Sequence, residues 1–411
     1  MNPSLGLFEG FGIELEYMLV RSDTLDVLPV ADQVLAAAAG QPTGDFDAGR
    51  LAWSNELALH LIELKTNGPA PRLDELPGAF AGDLARIETL LAPLGGRLMP
   101  GAMHPWMDAH TELRLWPQED DVYRAYDRIF DCRGHGFANL QSLHINLPFA
   151  GDVEFARLHA AIRLLLPLLP ALAASSPFAD GTAAGAMDYR LRVYRRNQER
   201  IPEITGDVVP ETVASRSEYE ERILQPMYRA IAPHDPRGVL QQEWLNSRGA
   251  IARFDRNAIE IRVLDTQEYP GADLACAALV VATLKALVAE RWGPLRAQQA
   301  MPQATLVRLF EAVVQDADET VIRDEDLLAH FGVARRARKA RDLWWQLAET
   351  ALAGGELDAP AWHGPLEMIF RKGVLARRIL RAAGGRPERA RLHAVYAELC
   401  DCLREGRSFA A

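Results

Sequence analysis

The sequence predicts an α+β protein in which antiparallel strands and helices mix through the first two thirds and helices fill the remainder. Three observations carry this. Four segments, Gly12–Val20, Leu59–Thr66, Leu143–Phe149 and Ala258–Asp265, alternate apolar and polar residues with the period of two that marks a half-buried strand. The helical stretches between them do not follow the strand–helix–strand order of a parallel sheet. From Ala272 onward almost every segment has helical spacing.

Taken in order, the first strand projects Glu14 and Glu16 to one face, ~7 Å apart, and Ile13, Leu15 and Tyr17 to the other. In the second, Glu63 and Lys65 alternate with Ile62 and Leu64. Glu56 stands seven residues before Glu63, a spacing that requires a bulge or bend at the start of the strand if both are to meet. A helix is expected over Leu73–Leu91. The third strand puts His144 and Asn146 on one face against Leu143, Ile145 and Leu147, and the apolar helix Glu154–Ala173 after it is interrupted by Pro167 and Pro170. Turn chemistry in Ser175–Gly181 leads into Tyr189–Arg196, the densest aromatic and basic cluster. There Arg190 is the favoured contact for a substrate carboxylate or a phosphate. The fourth strand pairs Glu260 with Arg262 on its polar face, and Arg253 and Arg256 lie just upstream.

The remaining helices are expected at Ala272–Glu290, Gln303–Ala317, Asp324–Phe331, Ala334–Ala353, Pro365–Ala383 and Arg386–Arg404, with Gly354–Gly355 and Gly384–Gly385 as stops. The basic stretch Arg335–Arg341 reads as a solvated helix face. No repeat or flexible linker divides the chain, so residues 1–290 are expected to form the catalytic core and residues 291–411 a helical segment packed on it.

Composition narrows the function. A formal charge of -11 over 411 residues argues against general affinity for nucleic acid or anionic membranes. No apolar run is read as approaching the ~20 residues that span a bilayer. Met1–Gly10 lacks a basic region followed by an apolar one, so a cytoplasmic location is expected. Cys132, Cys276, Cys400 and Cys402 lack zinc-site spacing and read as structural thiols.

Any single strand face of this kind is ordinary for an antiparallel sheet exposed on one side. Solvent faces, however, favour Thr, Ser, Lys and mixed charges, whereas here Glu, His, Asn and Arg recur. If the four strands lie side by side, two carboxylates ~5 Å apart at an effective dielectric of ~20 repel by about 3 kcal/mol. Protonation or bound cations must relieve this. Carboxylates with one imidazole suit Mg²⁺ or Mn²⁺, and Mg²⁺ characteristically joins carboxylates to nucleotide phosphates. No G-x-x-x-x-G-K-[ST] loop occurs, which leaves metal ions to hold the phosphates.

The set Gly12–Tyr17, Glu56 with Ile62–Thr66, His144–Leu147, Ser175–Phe178 and Ile259–Thr266 resembles the glutamate-cysteine ligase superfamily, in particular its carboxylate-amine ligase branch. That resemblance implies a glutamine-synthetase-like antiparallel sheet curved into a funnel that holds ATP and two or three Mg²⁺ ions. It implies Glu14 and Glu260 as ligands of one metal and Glu16, Glu56 and Glu63 as ligands of another. His144 takes the place of a further metal or phosphate ligand, with Asn146 beside it in the cofactor site, and Arg262 that of the arginine steadying the transferring phosphoryl group. The implied chemistry is phosphorylation of a carboxylate, such as the γ-carboxyl of glutamate, followed by attack of an amine. The acceptor is cysteine, another amino acid or another amine, and a homodimer is expected. A phosphotransferase using the same funnel and a non-catalytic nucleotide-binding regulator are the competing readings.

Overall fold

The computed structural model describes residues 5–117, 121–333, 336–357 and 359–411. Among them, eight strands form one sheet: Gly12–Arg21 (β1), Asp45–Asp47 (β2), Leu51–Asn55 (β3), Leu61–Thr66 (β4), Gly96–Met99 (β5), Ser142–Pro148 (β6), Ala250–Arg253 (β7) and Ala258–Asp265 (β8). Their order is β2-β3-β4-β1-β6-β8-β7, every pairing is antiparallel, and β5 takes Met18–Arg21 while β6 takes Gly12–Leu15. The four strands legible from alternation are therefore consecutive: β4, β1, β6 and β8.

Register does the rest. Glu14 lies opposite Lys65 on one side and His144 on the other, Glu16 opposite Glu63, and Glu260 opposite Asn146. Because side chains alternate in step across paired strands, all of these share one face. The other face presents Ile13, Leu15, Tyr17, Ile62, Leu64, Leu143, Ile145, Ile259 and Ile261, all buried, to a core continuous with the surrounding helices. That fold is an α+β arrangement of helices around a large antiparallel sheet, as expected.

Three of the four expected strands differ at their ends: the first runs on to Arg21, and the third is Ser142–Pro148 instead of Leu143–Phe149. The second strand begins at Leu61, not Leu59, and Glu56 is not on it. Glu56 follows β3 and starts the connection into β4, so of the bulge or bend expected at the strand entry it is the bend, within a hairpin, that brings it to Glu63. The irregularity falls instead in β8, whose register with β6 shifts between Ile261 and Leu264.

Helix ends follow local chemistry. The segment from Leu73 opens as a 3₁₀ turn and becomes an α-helix at Leu76–Leu91 with Pro77 in its first turn, where the missing N–H costs nothing. After the helix Gly151–Leu165, Pro167 sits in a 3₁₀ turn and Pro170 starts a short helix Pro170–Ala173. The single helix expected over Pro365–Ala383 is two, Ala359–Lys372 and Leu375–Ala383, broken at Gly373, whose φ of +87° suits glycine. The expected start at Ala334 lies outside the described residues. The helix there begins at Ala340, and Arg338–Lys339 pair as a short strand with Val321–Ile322, so of the basic stretch's described residues Arg341 is on the helix and Arg338 and Lys339 are not.

At the centre of the helical layer lies Pro270–Val288, 19 residues long with mean hydropathy 1.8. By length and composition it is apolar enough to cross a membrane, which corrects the expectation that no run approaches that length. Here 89% of it is buried within the fold, beneath the helices Leu76–Leu91, Gly151–Leu165, Ala340–Ala353 and Ala359–Lys372. Trp344 fixes one of these, donating its indole N–H to the Leu168 carbonyl at 2.9 Å. A second core joins β5 and the end of β1 to the helices Leu375–Ala383 and Arg389–Glu405. All four cysteines are free and buried, and burial raises the thiols of Cys132, Cys400 and Cys402 to about 12.

Candidate active site

The shared polar face gathers two groups of potential ligands, Glu14 with His144 and Glu260, and Glu16 with Glu56 and Glu63; within each, the ligating atoms lie within 4.8 Å of one another. The first group is tightly bonded. His144 Nδ1 lies 2.9 Å from Glu14 and 3.8 Å from Glu260, Asn146 donates to Glu14 at 2.9 Å, and Arg262 donates to Glu260 at 2.9 and 2.6 Å. Gly12 makes this possible. It stands opposite Asn146, and a Cβ there would lie 2.8 Å from that of Asn146.

Ser142 links the two groups. Its N–H and hydroxyl both reach one Glu16 oxygen, at 2.7 and 2.9 Å, and its hydroxyl lies 2.9 Å from His144 Nε2. A hydroxyl that donates to Glu16 accepts from the imidazole, so both ring nitrogens carry protons when Nδ1 donates to Glu14. In the second group, Ser54 donates to Glu63 at 2.6 Å and Lys65 pairs with it at 2.8 Å.

The electrostatics of the groups differ. Burial opposes ionisation of Glu14, but the hydrogen bond and charge of His144 outweigh it and hold the carboxyl at about 2. Burial alone would lower His144, and Glu14 and its neighbours raise it. Glu63 is pushed up to about 7 by burial and then by the charge of Glu14, and Glu56 rises well above the carboxylate range through burial and the charges of Glu16 and Glu63. The second group is thus a set of acids that only a proton or a cation can keep together. Its all-oxygen donor set and the carboxylate–imidazole set of the first fit hard divalent cations.

A sign follows for stability. With a folded value of about 7 against an ordinary 4.5, Glu63 keeps a proton that the unfolded chain releases. Folding is therefore favoured below about pH 4.5 and loses roughly 3 kcal/mol as pH rises through 7. His144, raised on folding, changes in the same direction. Denaturant midpoints measured without divalent cations should fall between pH 5.5 and 8. Glu63→Gln should flatten that slope, and an unchanged slope would remove Glu63 as its source.

Two cavities flank the groups. The inner one, about 450 Å³, is lined by both groups, by Lys65, Arg190, Arg253, Arg256 and Arg262, and by Leu57, Tyr126, Phe137, Leu140, Tyr194 and Trp244 among others. The second, about 630 Å³, shares Glu14, Lys65 and Arg256 with it and is otherwise lined mainly by Gly10, Gly12, Thr66, Pro69, Pro148, Asn257 and Ala258. Glu14 stands where the two meet, and the other five ligand residues line the inner cavity.

Arg190 differs from its expected part. It is 1% exposed; its Nε donates to Asp265 at 2.5 Å, and both terminal nitrogens reach the Arg262 carbonyl at 3.3 Å. Its guanidinium is occupied inside the protein, holding the backbone where β8 departs from register. The Ser175–Ser176 motif serves the same knot: the Ser175 N–H and the Ser176 hydroxyl each donate to Asp265 at 2.8 Å. Sequence reasoning missed Ser142 and Ser54. Ser142 was within reach, two residues before His144 on the same strand face; Tyr126, Phe137 and Trp244 come from three separate helical segments that no sequence spacing brings together.

Solved structures show the same fold. The bifunctional glutathione synthetase of Pasteurella multocida superposes with a TM-score of 0.64 over 97% of this chain at 14% identity, and this chain spans 53% of its length. The glutamate–cysteine ligase of Francisella tularensis, solved in complex with AMP, gives 0.59 over 98% of this chain and 90% of its own at 11% identity. In sequence, an uncharacterized protein of Archaeoglobus fulgidus is 36% identical over 273 residues, 66% of this chain and 73% of its own. A protein of Rubrobacter xylanophilus provisionally named glutamate–cysteine ligase 2-3 is 27% identical over 268 residues, 65% of this chain and 67% of its own. The model of glutamate-cysteine ligase family 2 matches residues 10–398, a span that takes in every strand of the funnel, and the chain belongs to that family.

Proposed function

We propose that this protein is an ATP- and Mg²⁺-dependent carboxylate-amine ligase. It forms an acyl phosphate on an acid such as glutamate, which an amine then attacks to give an amide, ADP and phosphate. The observation that carries this reading is the convergence of two three-residue ligand groups and Arg262 on one cavity, in a chain of a ligase family. Divalent cations bound there supply the positive charge that phosphoryl transfer requires. Glu14, His144 and Glu260 would hold one, and Glu16, Glu56 and Glu63 another.

The chain's own groups account for the remaining needs. Glu260 fixes the Arg262 guanidinium through two hydrogen bonds, so a charge-stabilising donor is set before substrate arrives. Ser142 and Asn146 hold Glu16 and Glu14 in single orientations. The more apolar second cavity adjoins the inner one at Glu14, Lys65 and Arg256 and suits a nucleobase; with one bound there, the phosphates would lie toward the carboxylates and the acid beside Arg262.

The test is phosphate release from ATP and Mg²⁺ over pairs of acids and amines, with mass spectrometry of the products. Release that needs both partners and yields an amide supports the ligase. A stable phosphorylated product from one substrate alone would replace it with a phosphotransferase. Chelation of divalent cations is expected to abolish turnover.

A further inference from the structure

The aromatic and basic cluster Tyr189–Arg196 opens with a short helix, Tyr189–Tyr194, whose start Asp188 caps by accepting from the Leu191 N–H at 2.9 Å. Arg190 and Tyr194 are four residues apart and so stand on one face of that helix. Both line the inner cavity, and both bear on Arg262. Arg190 reaches the Arg262 carbonyl with its two terminal nitrogens at 3.3 Å, and the Tyr194 hydroxyl hydrogen-bonds the Arg262 guanidinium. The same hydroxyl donates to the Ser247 carbonyl at 2.9 Å, so toward the arginine it is an acceptor. Ser247 stands two residues before Gly249, whose carbonyl takes the Arg262 N–H at 3.0 Å. One helical turn thus grips both ends of a single residue, its backbone through Arg190 and its side chain through Tyr194.

Glu260 holds the same guanidinium, but its hold is shared. It takes Arg262 Nε and Nη2 on one oxygen, Oε1, and that oxygen also lies 3.8 Å from His144 Nδ1, inside the first ligand group. Its other oxygen is 3.6 Å from Arg253. A carboxylate that also serves a bound cation holds an arginine less firmly, because the ion is the larger local charge. Tyr194 is uncharged and belongs to neither ligand group, so its hold does not depend on what the carboxylates bind.

We propose, resting on the ligase reading above, that Tyr194 is a positioning residue for the reaction: its hydroxyl fixes the Arg262 guanidinium in the orientation that meets the transferring phosphoryl group. It acts through Arg262 and not on the reacting atoms.

The test uses the full chain, with ATP, Mg²⁺ and the acid and amine that release phosphate fastest, and compares the parent with Tyr194→Phe, Arg262→Lys and the double variant. Phenylalanine keeps the ring and removes the hydroxyl. Tyr194→Phe is expected to lower the single-turnover rate of ADP formation about tenfold, a fraction of the loss on deleting a direct charge-stabilising donor. The concentrations of ATP and acid that give half the maximal rate are expected to stay within about twofold of the parent's. In the Arg262→Lys background the same substitution is expected to change the rate by less than about twofold, because the group that Tyr194 positions is gone. The denaturant midpoint is expected to stay at the parent's, since water in the cavity replaces the hydroxyl at the Ser247 carbonyl. A loss confined to the half-saturating concentration of acid or amine makes Tyr194 a substrate contact and overturns the proposal. Equal losses in both backgrounds, or a fallen midpoint that accounts for the loss, reduce Tyr194 to a structural part and overturn it as well. A parent that forms ADP beside an unimpaired Tyr194→Phe removes this role and leaves the ligase standing. A parent that forms no ADP with any acid and amine removes both.

Discussion

Glu260→Gln is expected to lower ligase turnover by roughly three orders of magnitude, on the scale of removing a charge-stabilising group from a phosphoryl-transfer site. Glu260 is 3% exposed and joins three functions: it accepts both Arg262 hydrogen bonds, stands 3.8 Å from His144 Nδ1, and lies 3.6 Å from Arg253. Glutamine keeps the shape and one acceptor but removes the charge that orients Arg262 and completes the first ligand group. The amide still bonds one arginine nitrogen, so the stability cost is expected to stay at about 1–3 kcal/mol. Kinetics and denaturant midpoints on the same preparation separate the two effects. Turnover within tenfold of the parent would mean that Glu260 holds neither a cation nor the arginine that matters.

The second large effect is on stability. Arg190→Gln leaves Asp265, which is fully buried, with its two serine-side hydrogen bonds and no cation. Breaking one side of a buried pair costs about 3–5 kcal/mol because the remaining charge is stranded. Loosening the Arg262 carbonyl should also lower kcat, since it leaves the Arg262 peptide anchored by its N–H on the Gly249 carbonyl alone where β8 shifts register. A different result is informative. If the variant kept its stability and showed only a higher KM for the acid, Arg190 would be a substrate contact that the pairing with Asp265 conceals.

Much of this site was legible because its residues sit on strands. In β1, β6 and β8 the alternation of Glu14, Glu16, His144, Asn146, Glu260 and Arg262 with Ile and Leu fixes both the element and the face, since period two admits no other geometry. Side-by-side pairing of those strands was an added condition, which the sheet order meets. The companions β2, β3, β5 and β7 escaped notice because three to five residues are too few to show a period. Glu56 was named for this cluster through a bulge or a bend, and the chain takes the second course, bending and turning between β3 and β4; spacing along a chain does not choose between them. Arg190 looked like a ligand residue because a buried arginine and a substrate-facing one have the same letter; only the position of Asp265, 75 residues away, tells them apart. Tyr126, Phe137 and Trp244 stand on three separate helical segments, and no spacing in the sequence brings those segments together.

The helix Pro270–Val288 carries a cost during folding. Apolar on every side, it has no solvent face on which to wait, so it is satisfied only when the earlier helices Leu76–Leu91 and Gly151–Leu165 and the later helices Ala340–Ala353 and Ala359–Lys372 have all arrived. Until the last of these docks, the chain carries a 19-residue greasy cylinder open to other copies of itself. Refolding yield from denaturant should therefore drop steeply with protein concentration, and chilling or dilution should recover it, because self-association competes at second order with a first-order closure.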